Sequence, residues 1–385
     1  MYRSLSLVLV IGAANALAPA ASAQQPGAGS YAVPATIAAD CSRDVSAQLR
    51  SWIASVPDNS TLSLRSGACY RIDGPLKIVD RFGLTFEGMG ATFRAFTPGD
   101  QDRRHVWFIG GGDHTVRNLI VRGANPFAGT GDKAYQASKA FQHGFAFHGV
   151  QGGLLDQVQV YDVYGDFVYL GKDVRTKPDT PSRDIVVRDS TFQRNGRQGI
   201  AITHAENITI QGNYLAGMRR STFDLEPNSA GDVIRNVRIV GNTTGGGRLL
   251  WLASGGPGYN VNDIHIIGNT MTTRASGSIM RVETPPGGTR GPFIVAGNSF
   301  IVGGTEWSGL HLIRVRDTLV LNNTMSFLAT RKMTAVGGYG ASDLVAARNL
   351  FLDARVPLYC NEGSSGCLQA ANTTDQDPTY VALPR

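Results

Sequence analysis

A polar stretch near the middle of the chain brings together residue types that can do acid–base chemistry. It reads "RRSTFDLEPN" over residues 219–228 and contains Asp224 and Glu226. In an extended strand, residues i and i+2 lie on one face, about 7 Å apart. Phe223 and Leu225 alternate with the acids, so we expect the apolar pair to point inward and the carboxylates outward. Two carboxylates at this separation can serve as acid and base on a glycosidic bond.

A repeat in the sequence predicts how such strands are arranged. From about residue 115, short alternating strands are followed by a polar residue, often Asn, as in "ENITIQGN" and "NDIHIIGN". The Asn recurs at residues 213, 242, 269, 298, 323 and 349. A period in the twenties indicates stacked units that bury a shared core, and the alternation indicates strands. We therefore predict an all-β fold, a single-stranded right-handed parallel β-helix, with Asn side chains hydrogen-bonded along a column.

Laying neighbouring units beside the acidic stretch predicts two outward columns of side chains. The first column contains Ala201, Asp224, Trp251, Arg281 and His311, and the second contains Thr203, Glu226, Ala253 and Glu283. Glu226 and Glu283 would then lie two coils apart, about 9.6 Å at the backbone. A slip of one residue at "RLLWL" would instead bury Trp251.

These columns predict a carbohydrate site. Asp224, Glu226 and Glu283 would supply the acid and the base or nucleophile of a glycoside hydrolase. Trp251 would stack on a sugar ring, and Arg281 would hold a substrate carboxylate. The plainer interpretation is a solvated strand face whose acids form surface ion pairs with nearby arginines.

Other residues would complete the binding surface. His311 is a peripheral candidate for substrate binding, and Arg197 and Arg220 lie in turns that lead into the same face. Two inserts, 124–142 and 171–184, are longer than a coil turn requires. Long loops on a rigid scaffold commonly carry function, so we expect the inserts to form the walls of a cleft.

Composition and the chain ends indicate an exported protein. The first 23 residues combine one Arg, an apolar run and an Ala-Ser-Ala end, the pattern of a secretory signal peptide. We predict a secreted or periplasmic protein with a linker at 24–40, a β-helix domain including its cap at 41–368, and a C-terminal tail at 369–385. The apolar run is too short for a membrane span. The net charge is +6 without a Lys/Arg block, so no nucleic-acid partner is expected.

Four Cys in an exported chain permit two disulfides. Their separations suggest that Cys41 pairs with Cys69 and that Cys360 pairs with Cys367. Both bonds would then fasten the ends of the fold. The sequence has no Cys-x-x-Cys, which argues against a structural zinc site.

Near the start, "SRDVSAQLRSWIASV" at 42–56 places Val45, Leu49, Trp52 and Ile53 on one helical face. We expect this helix to cap the open end of the coil. With this helix, "GMGATF" and the column of "GN" units, the chain resembles the pectate-lyase-like right-handed β-helix superfamily over about residues 38–360. The superfamily includes hydrolases, lyases, uronate epimerases and adhesins, so the resemblance implies the fold and leaves the reaction open.

Family motifs leave the alternatives open as well. The chain lacks the adjacent aspartates and Gly-His-Gly of polygalacturonases and the Asp-Pro-His of alginate epimerases. The first hypothesis is a glycoside hydrolase without a cofactor, acting on a polysaccharide. A second is a lyase for an anionic, uronate-containing glycan, in which Asp224 and Glu226 bind Ca²⁺ and Arg281 or His311 takes the proton. A third is a non-catalytic glycan-binding or adhesin solenoid.

Overall fold

The structure, a computed structural model, describes residues 29–100, 102–245, 249–253, 259–273, 278–288, 290–303, 308–328 and 333–375. The predicted signal peptide lies outside these residues. The chain winds through short strands that stack in register on the preceding and following coils. They form three parallel ladders, which we call the front, side and back sheets.

The bounds of the strands follow the chain order within each sheet. The front sheet contains Leu76–Val79, Val106–Ile109, Phe145–His148, Val168–Asp173, Ile200–Ile202, Ser221–Leu225, Leu249–Ala253, Met280–Glu283, Ser308–Ile313, Met333–Tyr339 and Ala354–Cys360. The side sheet contains Ser30–Ala32, Thr61–Ser63, Thr85–Glu87, Gly112–Arg117, Gln151–Asp156, Thr180–Arg188, Ala205–Gln211, Val233–Val240, Asn260–Ile267, Phe293–Ala296, Arg316–Leu321, Ser342–Ala347 and Leu368–Ala370. The back sheet contains Asp40–Asp44, Cys69–Arg71, Thr92–Arg94, Ile120–Arg122, Gln159–Val163, Thr191–Asn195, Tyr214–Ala216, Thr243–Gly245, Thr270–Thr273, Ser299–Val302, Thr324–Phe327, Leu350–Leu352 and Thr373–Thr374.

The core forms because inward residues of successive coils stack on one another. In the side sheet, Ile208 pairs with Val237 and Val237 pairs with Ile264, and all three are fully buried. The residues between them alternate to the outer face, as the strand period requires. The predicted parallel β-helix is therefore confirmed.

A ladder of buried asparagines lies between the side and back sheets. Asn213 Nδ2 donates to Asn242 Oδ1 at 3.0 Å and to the Val187 carbonyl at 2.9 Å. The same side-chain link joins Asn213, Asn242, Asn269, Asn298, Asn323, Asn349 and Asn372. The predicted hydrogen bonding along the Asn column is confirmed, and it satisfies polar groups that are buried at each turn.

The predicted helix over 42–56 is seen as Ser46–Ser55, with Leu49, Trp52 and Ile53 buried. It lies between a back-sheet strand and a side-sheet strand, where later coils have a front-sheet strand. Its role as a cap stays a prediction. Two short 3₁₀ turns, Asp132–Ala134 and Ala137–Lys139, lie in the first insert.

The disulfides pair as the separations suggested, Cys41 with Cys69 and Cys360 with Cys367. Paired strands run from Ser30 to Thr374, so they extend beyond the range of 41–368 that we assigned to the domain from sequence. No helix in the described part of the chain has the length and apolar character needed to cross a membrane.

Candidate active site

Asp224 lies in the front-sheet strand Ser221–Leu225, on the face opposite the core. Phe223 and Leu225 flank it and are buried among the core side chains, so the alternation of the strand turns Asp224 the other way. Asp224 is nevertheless only 1% exposed. It is covered because polar side chains from neighbouring coils pack over it.

The nearest of these is Gln198, which precedes the adjacent strand. Its Nε2 donates to Asp224 Oδ2 at 2.6 Å. Its Oε1 accepts from the Ser221 backbone N–H at 2.9 Å and from the Ser221 hydroxyl at 2.7 Å. A backbone N–H can only donate, so this contact fixes which end of the amide faces Asp224. The other carboxyl oxygen, Asp224 Oδ1, is buried and has no hydrogen-bond partner among the described residues.

This environment favours the protonated form of Asp224. The pKa of Asp224 is raised to about 8, chiefly by burial and also by the nearby Glu226 and Asp166, against the opposing effects of Arg197 and of the Gln198 hydrogen bond. Removing a carboxylate from water disfavours its charge, and so do other acids close by. Because Oδ2 accepts from Gln198, the proton belongs on Oδ1. This shift favours the neutral form of Asp224 at pH 7, with an O–H that has no acceptor among the described residues.

Arg197 links two further carboxyl groups. Its Nη1 donates to Asp166 Oδ2 at 2.6 Å, and its Nη2 lies 3.8 Å from Glu226 Oε2. Asp166 is fully buried, and burial raises its pKa to about 6 although Arg197 opposes the shift. Asp166 in turn holds the pKa of Arg197 above its ordinary value. The Glu226 side chain is 39% exposed. We call Asp166, Arg197, Gln198, Asp224 and Glu226 the acid cluster.

The register of the front sheet explains why these residues meet. Phe145, Val168, Ile200 and Phe223 pair in successive strands. Two positions earlier, the same coils carry His143, Asp166, Gln198 and Ser221. Successive coils are about 4.8 Å apart, so residues that lead into neighbouring strands touch through their side chains. The sequence left the direction of Asp166 open, because "GDFVYLG" fits either register, and it placed Gln198 only in a turn at the rim of the site. Aligning the residues that precede each strand would have found both.

Two aromatic side chains that sequence reasoning missed border the acid cluster. Tyr169 lies two coils before Asp224 in the same outward column, through Ala201. Its hydroxyl lies 3.0 Å from Thr203 Oγ1, and its ring stacks on His143 with centroids 4.8 Å apart. Because burial raises the pKa of the Tyr169 phenol, Tyr169 is a neutral partner here.

His143 also borders the acid cluster as a neutral side chain. The Asp166 backbone N–H donates to His143 Nδ1 at 3.0 Å, so that nitrogen carries no proton. Burial and the nearby Arg104 hold the pKa of His143 well below its ordinary value. Although His143 Nδ1 lies 3.3 Å from Asp166 Oδ2, the contact is therefore not an ion pair. The acid cluster has Arg197 as its cation.

The position predicted for Trp251 is wrong by one residue. The register pairs Trp251 with Phe223 and Met280, which are core residues, and places Leu252 between Asp224 and Arg281. Ala253 shifts likewise and pairs with Leu225 and Val282. "RLLWL" is apolar at four successive positions, so alternation could not choose between the two registers.

Glu283 and Arg281 lie farther along the front sheet and pair with each other. The register places Glu283 two coils from Glu226, as predicted, with its carboxylate on Arg281, and its part in the site stays a prediction. His311 is the register neighbour of Arg281, and its ring lies 4.7 Å from that of Tyr339. These residues share the face of Asp224 but lie at least two coils away from it.

The first insert packs against the turn that leads into the Asp224 strand. Arg219 donates to Asp132 at 2.7 Å, and the Arg220 guanidinium lies 4.4 Å from the ring centre of Tyr135. Arg220 remains exposed. The insert 124–142 is thus fixed beside the acid cluster through two arginines of one turn.

Comparisons with known proteins yield structural likeness only. No protein-family model matches the sequence, and no curated protein matches it. The A-module of the mannuronan C-5 epimerase AlgE6 from Azotobacter vinelandii superposes with a TM-score of 0.64 at 16% identity, over 89% of this chain and 94% of that one. A family 28 exopolygalacturonase from Yersinia enterocolitica gives 0.60 at 10% identity, over 88% and 78%. The surface adhesin PfbA of Streptococcus pneumoniae gives 0.54 at 11% identity, over 89% and 100%.

At these identities the likeness concerns the fold, not the reaction. The similar structures include enzymes that act on polysaccharides as well as an adhesin. The chain has the right-handed parallel β-helix fold of the pectate-lyase-like proteins.

Proposed function

We propose that the protein is a polysaccharide-cleaving glycoside hydrolase that uses Asp224 as general acid and Glu226 as general base. The observation that carries this proposal is the unequal environment of two acids that lie two residues apart at the end of one strand. Asp224 is buried with a pKa raised to about 8, whereas Glu226 is 39% exposed beside Arg197. Environments that favour different protonation states in two neighbouring carboxyl groups are typical of acid–base pairs.

Asp224 has the features of the acid. Its Oδ2 is taken by Gln198, and its Oδ1 is buried without a hydrogen-bond partner in the described part of the chain. A buried polar atom left unpaired in a folded protein calls for an explanation. Once the side chains that cover Oδ1 move aside, a glycosidic oxygen against it would supply the missing partner and receive the proton as the bond to the anomeric carbon breaks. Gln198 then hydrogen-bonds the carboxylate that forms.

Glu226 has the features of the base. It directly follows the strand Ser221–Leu225, two residues after Asp224, and lies about 7 Å from it at the backbone. Inverting glycosidases separate their carboxyl groups by about 6.5–9.5 Å to leave room for a water molecule. Glu226 would take a proton from that water as it attacks the anomeric carbon. We therefore expect inversion of the anomeric configuration.

A Ca²⁺ ion held by Asp224 and Glu226, as the lyase hypothesis requires, does not fit these residues. Ca²⁺ takes six to eight oxygen ligands and favours ionised carboxylates. Asp224 is protonated, the Gln198 NH₂ group points at its Oδ2, and the Arg197 guanidinium lies beside Glu226. Within the described residues, no three His, Cys, Asp or Glu side chains are grouped to hold a metal. We derive no step through a metal.

The nature of the substrate and the location are parts of the same proposal. Sharing a fold with polysaccharide-active enzymes supports a polysaccharide substrate. Two disulfides are typical of proteins in oxidising compartments, and they support a secreted or periplasmic location.

The test is a panel of neutral and uronate-containing polysaccharides assayed for new reducing ends and for unsaturated products. We expect reducing ends without near-ultraviolet absorbance, equally with and without EDTA. Asp224→Asn and Glu226→Gln should each lower kcat by about 10²–10⁴-fold. The control is Asp156→Asn, which alters an Arg188-paired acid on the side sheet and should leave cleavage unchanged. Unsaturated products that EDTA abolishes would establish a lyase instead. Binding without cleavage would establish an adhesin-like solenoid.

A further inference from the structure

The second insert forms a hairpin at the corner between the front and side sheets. Its two arms pair antiparallel, Lys172 with Pro181 and Asp173 with Thr180, in contrast to the parallel pairing of the ladders. The turn from one coil strand to the next needs only a few residues, so the hairpin is an addition to the coil.

Arg175 at the hairpin fastens it across earlier coils. Its Nη2 donates to Asp80 Oδ1 at 2.6 Å and its Nη1 donates to Asp80 Oδ2 at 3.0 Å. Its Nε and Nη2 also donate to the buried Asp173. Asp80 directly follows the strand Leu76–Val79, three strands before the hairpin in the front sheet. The hairpin is therefore tied to a coil that lies three strands before its own.

A cavity of about 490 Å³ lies beneath this bridge. Glycine backbone forms part of its floor, at Gly110 and Gly149, both with positive φ. A Cβ at Gly110 would collide with Asp80 and Arg175, and one at Gly149 would collide with Asp173. The glycines thus allow the bridge residues to pack closely against the coil backbone at this corner. We call this space the corner cavity.

The lining of the corner cavity indicates its ligand. Phe82 lines it with half of its surface exposed, and an exposed ring in a walled cavity is a stacking face for a sugar. Gln151 Nε2 donates to the carbonyls of Gly149 and Pro181, which leaves its Oε1 as an acceptor. Each Asp80 oxygen accepts one bond from Arg175 and keeps lone pairs for others.

The charge of the lining selects against acidic sugars. Asp80 and Asp173 carry two negative charges against the one positive charge of Arg175, and both carboxylates already form ion pairs with its guanidinium. A ligand carboxylate would meet a net negative wall without a free cation among the lining residues. A neutral sugar instead offers hydroxyl donors to the acceptors that remain.

The corner cavity is distinct from the acid cluster. Asp80 and Glu226 each follow a front-sheet strand directly, and five strand steps separate the two strands. At about 4.8 Å per step, the two positions are about 24 Å apart. The strand that ends at Asp173 is only two steps from that of Asp224, but Phe82 lies two residues after Asp80, so a sugar unit stacked on its ring does not reach the acid cluster. We propose that the corner cavity is a second carbohydrate-binding site, which takes a neutral sugar unit stacked on Phe82.

The test measures binding in the full chain carrying Asp224→Asn, so that a bound glycan is not consumed. The probes are hexasaccharides of glucose, mannose and xylose, with hexagalacturonate as the acidic comparison, observed by saturation-transfer NMR and calorimetry. We expect at least one neutral probe to bind, and Phe82→Ala to weaken it by at least tenfold. Phe96→Ala is the matched control, since Phe96 is 45% exposed near the back sheet, and it should change affinity less than twofold.

Gln151→Ala provides a second variant within the corner cavity and should weaken binding severalfold. Thermal melts of all variants check that they are folded, as expected for an exposed ring. Failure of every neutral probe to bind, or binding that Phe82→Ala and Gln151→Ala leave intact, would overturn the proposal. Because the readout is binding at a site remote from Asp224, it remains decisive whether or not the acid cluster cleaves glycans.

Discussion

Gln198 Nε2 lies 2.6 Å from Asp224 Oδ2, and this contact decides what the buried acid can do. Gln198 is held by Ser221, so its NH₂ group cannot turn away. The adjacent residue, Arg197, instead directs its charge to Asp166 and Glu226. Two neighbouring residues of one turn thus give a neutral partner to one acid and a cation to the other two.

The first prediction concerns stability and pH in Asp224→Asn. The pKa of Asp224 is about 8 in the folded chain and 3.8 for an ordinary Asp. Between these values the unfolded chain releases a proton that the folded chain keeps, so this group lowers the stability of the fold as pH rises. Because Asn does not ionise, the Asp224→Asn variant does not lose stability in this way as pH rises. From pH 5 to pH 8, we expect the free energy of unfolding of wild type to fall relative to the variant by at least about 1.4 kcal/mol.

Urea unfolding at both pH values measures this difference. The control is Asp156→Asn, whose acid is paired with Arg188 on the outer face of the side sheet. The free energy of unfolding of this variant should not rise relative to that of wild type between pH 5 and pH 8. An equal difference between wild type and Asp224→Asn at pH 5 and pH 8 would contradict the prediction.

The second prediction concerns Gln198→Leu and the pH profile of cleavage. The hydrogen bond from Gln198 lowers the pKa of Asp224, against the larger effect of burial. Its loss should raise that pKa further, so the alkaline limb of kcat/KM should move to higher pH while the maximum rate falls. A variant that merely damaged the fold would lower the rate without moving the limb. A limb that stays in place or moves to lower pH would exclude Gln198 as the positioning residue of Asp224.

The third prediction compares two arginines three residues apart. Arg197 is 17% exposed and pairs with the buried Asp166, whereas Arg194 is 47% exposed and pairs with Asp162 at the surface. Removing one partner of a buried pair leaves an uncompensated charge, so Arg197→Met should cost roughly 3 kcal/mol. Arg194→Met should cost less than about 1 kcal/mol. Denaturant unfolding checks both, and Asp166→Asn added to Arg197→Met should restore part of the loss. Equal costs at the two sites would refute this assignment.

The fourth prediction tests the asparagine ladder. Asn269 accepts from the Asn242 backbone and side chain and donates to the Ile239 carbonyl and Asn298 Oδ1. Asn269→Ala would leave several buried polar groups unpaired and should cost roughly 3 kcal/mol. Asn260→Ala removes an exposed Asn side chain at the start of a side-sheet strand and should cost less than about 0.5 kcal/mol. Similar midpoints of urea unfolding for the two variants would argue that the ladder is not a source of stability.

The fold could be predicted because its signals are periodic and repeated. The Asn spacing and the alternation of Phe223 and Leu225 with their neighbours recur coil after coil, so an error in one coil does not propagate. The pairing of Asp224 with Ala201 follows from the same repeat. Trp251 shows the limit, since a run of apolar residues fits two registers and only packing in three dimensions selects one.

The acid cluster was less predictable because it depends on turns. Strand alternation reports the direction of Asp224, but Asp166, Arg197 and Gln198 lie where the chain bends and alternation no longer holds. Alternation also says nothing of what covers an outward residue, so the burial of Asp224 was not foreseen. The two-coil spacing of Glu283 from Glu226 follows from the repeat, whereas its ion pair with Arg281 on the same strand was not foreseen.

The most direct test of the account is the titration of the Asp224 side-chain carboxyl itself. Carbon-13 NMR of aspartate-labelled protein, with the signal identified by its absence in Asp224→Asn, follows the ionisation of this one group without any substrate. We predict that Asp224 stays protonated through neutral pH and ionises at about pH 8. A carboxylate already ionised at pH 6 would contradict the assignment of Asp224 as the acid and, with it, the proposed hydrolase.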